Sequence, residues 1–227
     1  MIKENSNFLL LLIVVALPFG SFNSIQILIS NLFEPFGYTS SEIAFVALWL
    51  LFAGVLGALV IGSVVDKTHR FKHALYFTTF SGFSLILIAV YVLMYQPENQ
   101  ILLKAILMLF GFCYMGFIPL CLAFGAELTF PLKPALVQGT FTLAGSGSAF
   151  IYSAIGGLIF HSRKSDELLD ETELLHTQRV RACTVFFLTS ASCLVAFLIS
   201  IFIEEDLRRL KYGAQKVSEE PVDEIKE

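Results

Sequence analysis

Charged residues are scarce in this chain, and they cluster in short segments. Only 15% of the 227 residues are charged, whereas 56% are hydrophobic and the mean hydropathy is +0.75. A soluble globular domain carries about 25% charged residues. The clustering leaves long stretches with hardly a charge between the charged segments. This composition excludes an ordinary soluble domain and indicates a chain that crosses a membrane several times.

The sequence also lacks the motifs of an enzyme or a metal site. It contains no HExxH, GxSxG or CxxC, and its histidines have no partner at ligand spacing. The four cysteines show neither metal-ligand spacing nor a disulfide framework. An intramembrane enzyme needs paired acids or a nucleophile with a base inside its spans, and no such pair is present. We therefore expect no enzymatic activity, no metal and no cofactor.

Six apolar runs are long enough to cross a bilayer, which takes roughly 20 apolar residues per helix. They lie at 8–32, 43–65, 74–95, 101–126, 135–160 and 182–203. The runs lack the polar alternation of transmembrane β-strands, and helices satisfy their own backbone groups in lipid. We predict an all-α membrane protein with a six-helix lobe at 8–203. A short N-terminus at 1–7 and an amphipathic, then disordered, tail at 204–227 flank the lobe.

The positive charges predict the orientation of the chain. With six spans, both termini and the even-numbered connections lie on one side. That side holds Lys3, Lys67, Arg70, Lys72, Lys133, Arg208, Arg209, Lys211, Lys216 and Lys226. The other side holds Arg163, Lys164, Arg179 and Arg181, with Lys104 just inside a helix end. Short positive loops stay in the cytoplasm, so both termini are expected there. No address signal decides which membrane is used, and we favour the plasma membrane over an organelle.

Pro18 and Gly20 predict a kink or local opening in the middle of the first span. Asn23 and Gln26 lie three residues apart on one helix face, which we expect to point into the bundle. A lipid-facing kink without function is the alternative. The connection at 33–42 is expected outside, with Ser40 or Ser41 capping the second span.

The fourth span is also break-prone, since it contains Gly111, Gly116 and Pro119. It ends near Glu127, which we interpret as an interfacial carboxylate held by arginine or backbone amides at a cytoplasmic gate. A proton relay is the alternative. The fifth span is small and polar along residues 138–148, which suits tight helix packing or the wall of a wet cavity.

The second span carries small residues that let a neighbouring helix approach closely. They are Gly54, Gly57, Ala58, Gly62 and Ser63. Asp66 ends this span, where an acid is unfavourable against the helix dipole. We therefore expect Asp66 to pair with Arg70 or to cap a neighbouring helix. A short basic hairpin with Lys67, Arg70 and Lys72 follows at once.

Three segments together resemble one family of transporters. They are the Gly54–Lys72 hairpin, the run from Gly116 through Glu127-Leu-Thr-Phe-Pro131 to Gln138-Gly-Thr140, and Asp206–Arg209. In this order and spacing they are similar to the C-terminal half of the feline leukaemia virus subgroup C receptor-related proteins. That family is a solute-carrier branch of the major facilitator superfamily. The resemblance covers residues 7–211 and implies one lobe of a two-lobe carrier with a central cavity.

The resemblance also implies where a substrate would bind. Members are linked to choline and ethanolamine uptake and, historically, to haem export. Their amine pocket uses an aromatic side chain from the first span of this half and a glutamine from the fifth. This chain carries Asn23 and Phe150 near those places, and His69 where the superfamily hairpin usually has glycine. The candidate substrate-binding residues are Asn23, Gln26, Tyr114, Ser146 and Phe150, and the candidate gating residues are Gly62, Asp66, Arg70 and Glu127.

Two functions follow as hypotheses. In the first, the chain is one lobe of a secondary carrier for a choline- or ethanolamine-like amine or for haem. Its partners are the substrate, the lipid bilayer and a second six-helix lobe, which is a separate chain, a missing N-terminal half or a second copy. No nucleic acid is expected. In the second, the chain is a membrane interaction or regulatory protein, or a partial gene product, without transport of its own.

Overall fold

The computed structural model describes residues 6–96, 99–161 and 171–203, and within these ranges every regular element is helical. The helices are α1 (Ser6–Ile27), α2 (Ile29–Phe33), α3 (Ser40–Thr68), α4 (Phe71–Tyr95), α5 (Gln100–Met115), α6 (Phe117–Leu128), α7 (Pro134–Phe160) and α8 (Glu171–Ile201). With α5 and α6 counted together, six segments are long and apolar enough to cross a membrane. The predicted all-α fold with six transmembrane helices is confirmed. Residues 1–5 of the predicted N-terminus at 1–7, and the whole predicted tail at 204–227, lie outside the described residues.

The first span is interrupted in a different place from the one expected. α1 continues through Pro18, and the interruption lies at Leu28, whose φ and ψ are −98° and 11°. The expectation that the helix opens at Pro18 is therefore wrong. Proline removes one backbone donor, which a membrane helix tolerates when neighbouring groups compensate. The missing N–H of Pro18 would have donated to the Val14 carbonyl. The Ser21 hydroxyl donates to a different carbonyl, that of Pro18, at 3.0 Å.

The fourth span breaks where its sequence indicated. α5 ends at Met115 and α6 begins at Phe117, so that Gly116 separates them. Pro119 has no N–H to donate to the Met115 carbonyl four residues earlier, which removes one hydrogen bond from the helix at this level.

α8 begins at Glu171, well before the predicted start of the sixth span at residue 182. Hydropathy detects only the part of a helix that lies in lipid, and it misses a helical extension into water. The extension is attached to a 3-10 turn at Glu34–Phe36. The Arg179 Nε donates to the Pro35 carbonyl at 2.9 Å, and its guanidinium lies 5.7 Å from the centroid of the Phe36 ring.

Thr39, and not Ser40 or Ser41, caps the second span. The Thr39 hydroxyl accepts from the Glu42 backbone N–H, and the Glu42 carboxylate accepts from the Thr39 backbone N–H at 2.9 Å. This reciprocal pair is a capping box, which needs Glu or Gln three residues after the cap. The sequence Thr39-Ser-Ser-Glu42 contains this spacing, and it identifies Thr39, three residues before Glu42, as the cap.

α3 and α5 make backbone contact at glycines. A Cβ atom at Gly57 would lie 2.6 Å from the carbonyl carbon of Phe112, and one at Gly111 would lie 3.2 Å from that of Leu50. Such overlaps involve backbone, so no side-chain movement could relieve them. Gly62 differs, because it faces open space. The expected close approach along α3 therefore involves Gly57 and not Gly62.

The basic hairpin reverses the chain at His69, which ends α3. His69 has a φ of 52°, in the left-handed region, and its N–H donates to the Val65 carbonyl at 2.8 Å. Glycine is the usual residue at such a helix end because it has no Cβ. His69 therefore occupies a position that glycine would take without strain. Lys72 then donates to the Ile201 carbonyl at 3.1 Å, which ties the start of α4 to the end of α8.

Gly57→Ala should lower the free energy of unfolding by about 1–3 kcal/mol, because the new methyl group overlaps the Phe112 backbone. Gly62→Ala is the matched control on the same helix and should leave stability unchanged or slightly higher. Thermal unfolding in detergent, followed by size-exclusion chromatography, measures both. Equal midpoints for the two variants would show that α3 and α5 do not pack as described.

His69→Gly should raise the free energy of unfolding by up to about 1 kcal/mol. Relief of the left-handed conformation outweighs the extra freedom of glycine in the unfolded chain. Thr68→Gly, one residue earlier inside the helix, should lower stability and serves as the control. The same thermal assay applies, and a loss of stability in both variants contradicts the left-handed assignment.

Candidate functional site

α1 and α7 form a tight pair that positions most of the candidate substrate residues. The Ser148 hydroxyl of α7 donates to the Ala16 carbonyl of α1 at 2.5 Å. A Cβ atom at Gly20 would lie 2.7 Å from the Ser148 backbone carbon, so only glycine permits this approach. Gly145 likewise makes room for the ring of Phe19. This close packing therefore fixes the position of Asn23 on α1 relative to the neighbouring side of α7.

The rest of α7 is largely uncovered and partly polar. Its buried residues are Val137, Phe141, Gly145 and Gly156. Gln138, Thr142 and Ser146 are exposed at four-residue spacing and form one stripe, which we call the α7 polar stripe. Polar groups at membrane depth normally face a bundle interior or a water-filled cavity. The α7 polar stripe therefore indicates which side of this lobe faces water or a second polar surface.

A cavity of about 220 Å³ lies beside the α7 polar stripe, between α1, α6 and α7. Its lining residues are Val15, Phe19, Ile118, Leu122, Gln138, Phe141 and Thr142. It brings an aromatic ring of the first span, Phe19, to the same cavity as an amide of the fifth span, Gln138. We call it the Phe19–Gln138 cavity. Sequence reasoning missed Phe19 as a site residue and treated Gln138 only as part of a polar run.

The five predicted substrate residues lie in different environments. Asn23 is half-buried, and its amide donates to the Phe19 carbonyl of its own helix at 2.7 Å, whereas Gln26 is exposed. Tyr114 is only 3% exposed and stacks on Phe22 with ring centroids 4.1 Å apart. Ser146 and Phe150 are exposed on α7, Phe150 to 77%. The amides of Asn23 and Gln26 therefore do not share one buried surface, and Tyr114 belongs to an aromatic core.

The predicted gating residues lie on the side of the basic hairpin. Asp66 and Arg70 are exposed, and no ion pair joins them in the part of the chain that the structure describes. The expected Asp66–Arg70 pair is thus wrong for this conformation, because the reversal at His69 directs the chain away after α3. Gly62 is half-exposed, and Glu127 is buried at the end of α6, with 7% of its surface accessible.

A second, polar cavity of about 480 Å³ lies at the opposite ends of the spans. Its lining residues are Asn31, Glu34, Pro35, Gly157, Phe160, His161, Gln178 and Arg181. The cavity collects residues that surround the 3-10 turn and the start of α8. Sequence reasoning did not find it, because its residues come from α2, the 3-10 turn, the end of α7 and α8, which are far apart in the sequence.

Comparison with known proteins places this lobe among transporters. No protein-family profile matches the chain. It is 26% identical over 210 residues to the choline/ethanolamine transporter flvcr2a of Danio rerio, and 24% identical over 231 residues to the choline/ethanolamine transporter FLVCR2 of Homo sapiens. The chain is similar to the FLVCR-related transporters along nearly its whole length. An uncharacterized MFS-type transporter of Caenorhabditis elegans is 22% identical over 214 residues.

These matches cover 91%, 99% and 92% of the chain but only 40%, 39% and 33% of the relatives. The chain thus spans well under half of each of these FLVCR-related and MFS-type proteins. The resemblance read from the sequence is confirmed, and the six-helix bundle is one lobe of a major-facilitator fold.

Ser146→Cys on the α7 polar stripe should react with a water-soluble methanethiosulfonate reagent at least about tenfold faster than Ile151→Cys, since the thiolate forms only in water. Ile151 is exposed on the opposite side of α7. The four native cysteines are buried and should give a low background. Equal, slow labelling at both positions would show that the α7 polar stripe does not face water.

Proposed function

We propose that the chain is one lobe of a secondary carrier that moves a choline- or ethanolamine-like amine. The observation that carries this proposal is the Phe19–Gln138 cavity, in which an aromatic ring and an amide converge between the first and fifth spans. The names of the relatives point to the same substrate class.

The chemistry of the Phe19–Gln138 cavity suits a small organic cation. A quaternary ammonium group has no N–H to donate and is bound by the face of an aromatic ring. A primary ammonium group can in addition donate to the side-chain oxygen of Gln138. The cavity of about 220 Å³ lies below the roughly 300–1,000 Å³ of sites for drug-sized ligands, which favours an amine over haem.

A second six-helix lobe would complete the cavity. The α7 polar stripe, with Ser146 on it and Phe150 nearby, lies on an uncovered surface of this lobe. In major-facilitator carriers, transport is largely a rocking of one half against the other around the site. We propose that Asn23, Gln26 and Phe150 act at this surface. The second lobe would be the other half of a longer protein, a separate chain or a second copy.

The gate is proposed on the hairpin side, where Gly62, Asp66, Arg70 and Glu127 lie. Asp66 and Arg70 are exposed and unpaired with each other here, so both are available to a facing lobe in a closed state. The exposed cations Lys67, Arg70 and Lys133 favour a cytoplasmic location for this side and for both termini. We propose the plasma membrane as the site of action.

Uptake of labelled choline and ethanolamine, in cells that express the complete product of the gene, tests the substrate. Phe19→Ala should lower kcat/KM for choline about tenfold through loss of the aromatic face. Gln138→Leu should affect ethanolamine more than choline, because only ethanolamine donates an N–H. Phe77→Ala, an exposed phenylalanine on α4, is the control. Unchanged uptake in both cavity variants, or export of haem alone, overturns the assignment.

Asp66→Ala should lower the maximal transport rate more than the apparent affinity, since a gate acts on conformational change and not on ground-state binding. Thr68→Ala, an exposed residue on the same helix turn, should leave the rate unchanged. Initial rates over a range of substrate concentrations separate the two parameters. A raised KM at normal turnover would instead place Asp66 in binding.

A further inference from the structure

A groove between α3 and α5 lies at the membrane side opposite the basic hairpin. It has a volume of about 250 Å³ and is lined by Glu42, Phe45, Val46, Trp49, Lys104 and Met108. These residues come from the first three turns of α3 and α5. In a bilayer crossed by α3 and α5, the outer end of the groove would lie near the level where lipid headgroups meet the hydrocarbon. We call it the α3–α5 groove, and the carrier function proposed above does not use it.

Glu42 and Lys104 carry opposite charges and both line the α3–α5 groove, but they form no ion pair with each other in the described part of the chain. The Glu42 carboxylate accepts from the backbone N–H and the hydroxyl of Thr39, both at 2.9 Å. The Lys104 Nζ lies 3.4 Å from the Gln100 side-chain oxygen and 6.0 Å from the centroid of the Tyr38 ring. Within the described ranges no ion pair links Glu42 to Lys104. Both side chains line the same groove, so a ligand that carries both charges could contact each of them there.

The order of the charges matches a particular kind of ligand. Glu42 lies in the first turn of α3, and Lys104 lies in the second turn of α5. The negative side chain is thus nearer its helix end than the positive one. In a zwitterionic phospholipid the ammonium group lies outside the phosphate, so each ligand charge would meet its opposite. Aromatic rings at Phe45 and Trp49 add the surface that ammonium groups prefer.

An apolar strip continues from the α3–α5 groove along α3 into the membrane. Its residues follow at spacings of three and four and are all exposed: Phe45, Trp49, Phe52, Leu56 and Leu59. Trp49 and Phe52 contact each other edge to face, with centroids 5.9 Å apart. From first to last residue the strip runs for about 21 Å along the helix. It is long enough to follow an acyl chain through one leaflet of a hydrocarbon core about 30 Å thick.

We propose that the α3–α5 groove binds the zwitterionic headgroup of an outer-leaflet phospholipid, phosphatidylcholine or phosphatidylethanolamine. Lys104 contacts the phosphate, and Glu42 with the rings of Phe45 and Trp49 contacts the ammonium group. The acyl chains lie along the apolar strip. A free headgroup would leave that strip bare, and an anionic lipid would leave Glu42 facing a negative charge.

The only tryptophan of the chain, Trp49, reports directly on this site. The purified chain in dodecyl maltoside micelles is titrated with phosphatidylcholine that carries bromine atoms in its acyl chains, which quench tryptophan on contact. We expect saturable quenching at a low fraction of lipid. Unlabelled dioleoylphosphatidylcholine should reverse it, dioleoylphosphatidylglycerol should compete at least about tenfold less well, and millimolar glycerophosphocholine should not compete.

Variants separate the two charges. Glu42→Gln keeps a capping-box side chain and removes the charge, while Lys104→Met keeps the apolar stem. Each should raise the lipid fraction for half-quenching about tenfold, and Lys104→Arg should bind like the wild type. Glu34→Gln, an exposed acid outside the groove, is the control. If Lys104→Met does not fold, as judged by circular dichroism, Glu42→Gln decides alone.

Four results overturn the proposal. The first is quenching that rises linearly and does not distinguish the choline from the glycerol lipid. The second is wild-type binding by Glu42→Gln. The third is competition by glycerophosphocholine at the same concentration as the lipid, which would identify a site for a soluble zwitterion. A Trp49 that no lipid quenches, because a second copy of the chain covers it in a dimer, also contradicts lipid binding.

Discussion

Close backbone contact between helices is the constraint on which the rest of this lobe depends. In lipid there is no hydrophobic drive to join two apolar helices, so packing has to come from close approach. Gly57 and Gly111 supply it between α3 and α5, and Gly20 and Gly145 supply it between α1 and α7. The Ser148 hydroxyl adds a hydrogen bond to the second pair. The Phe19–Gln138 cavity exists because α1 and α7 are held at this distance.

The same packing leaves two kinds of uncovered surface. α7 is covered mainly along its side towards α1, so its polar stripe is left open. α3 is covered along its glycine side, so large apolar residues such as Phe52 and Leu59 are left open. The polar surface suits water or a facing lobe, and the apolar surface suits lipid. The glycine contacts thus decide which side of α3 and which side of α7 stays uncovered.

Features within single helices were predictable from the sequence, and features between helices were not. Uncharged runs of sufficient length predict six spans, and the missing N–H of Pro119 predicts a break in the fourth. The interruption at Leu28 has no such local signal, because neither proline nor glycine stands there. The meeting of Phe19 with Gln138 depends on packing between distant segments. The Asp66–Arg70 pair was expected because an acid is unfavourable at a helix C-terminus, and the left-handed His69 turns the chain away between the two residues.

The central claim is that this chain is half of an amine carrier whose cavity opens between α1 and α7. Countertransport of labelled choline in proteoliposomes, reconstituted with the purified complete product of the gene, tests it most directly. The account predicts that unlabelled choline or ethanolamine inside the vesicles accelerates entry of the label. Entry that is no faster than in protein-free vesicles, by a correctly folded protein with both lobes present, would contradict it.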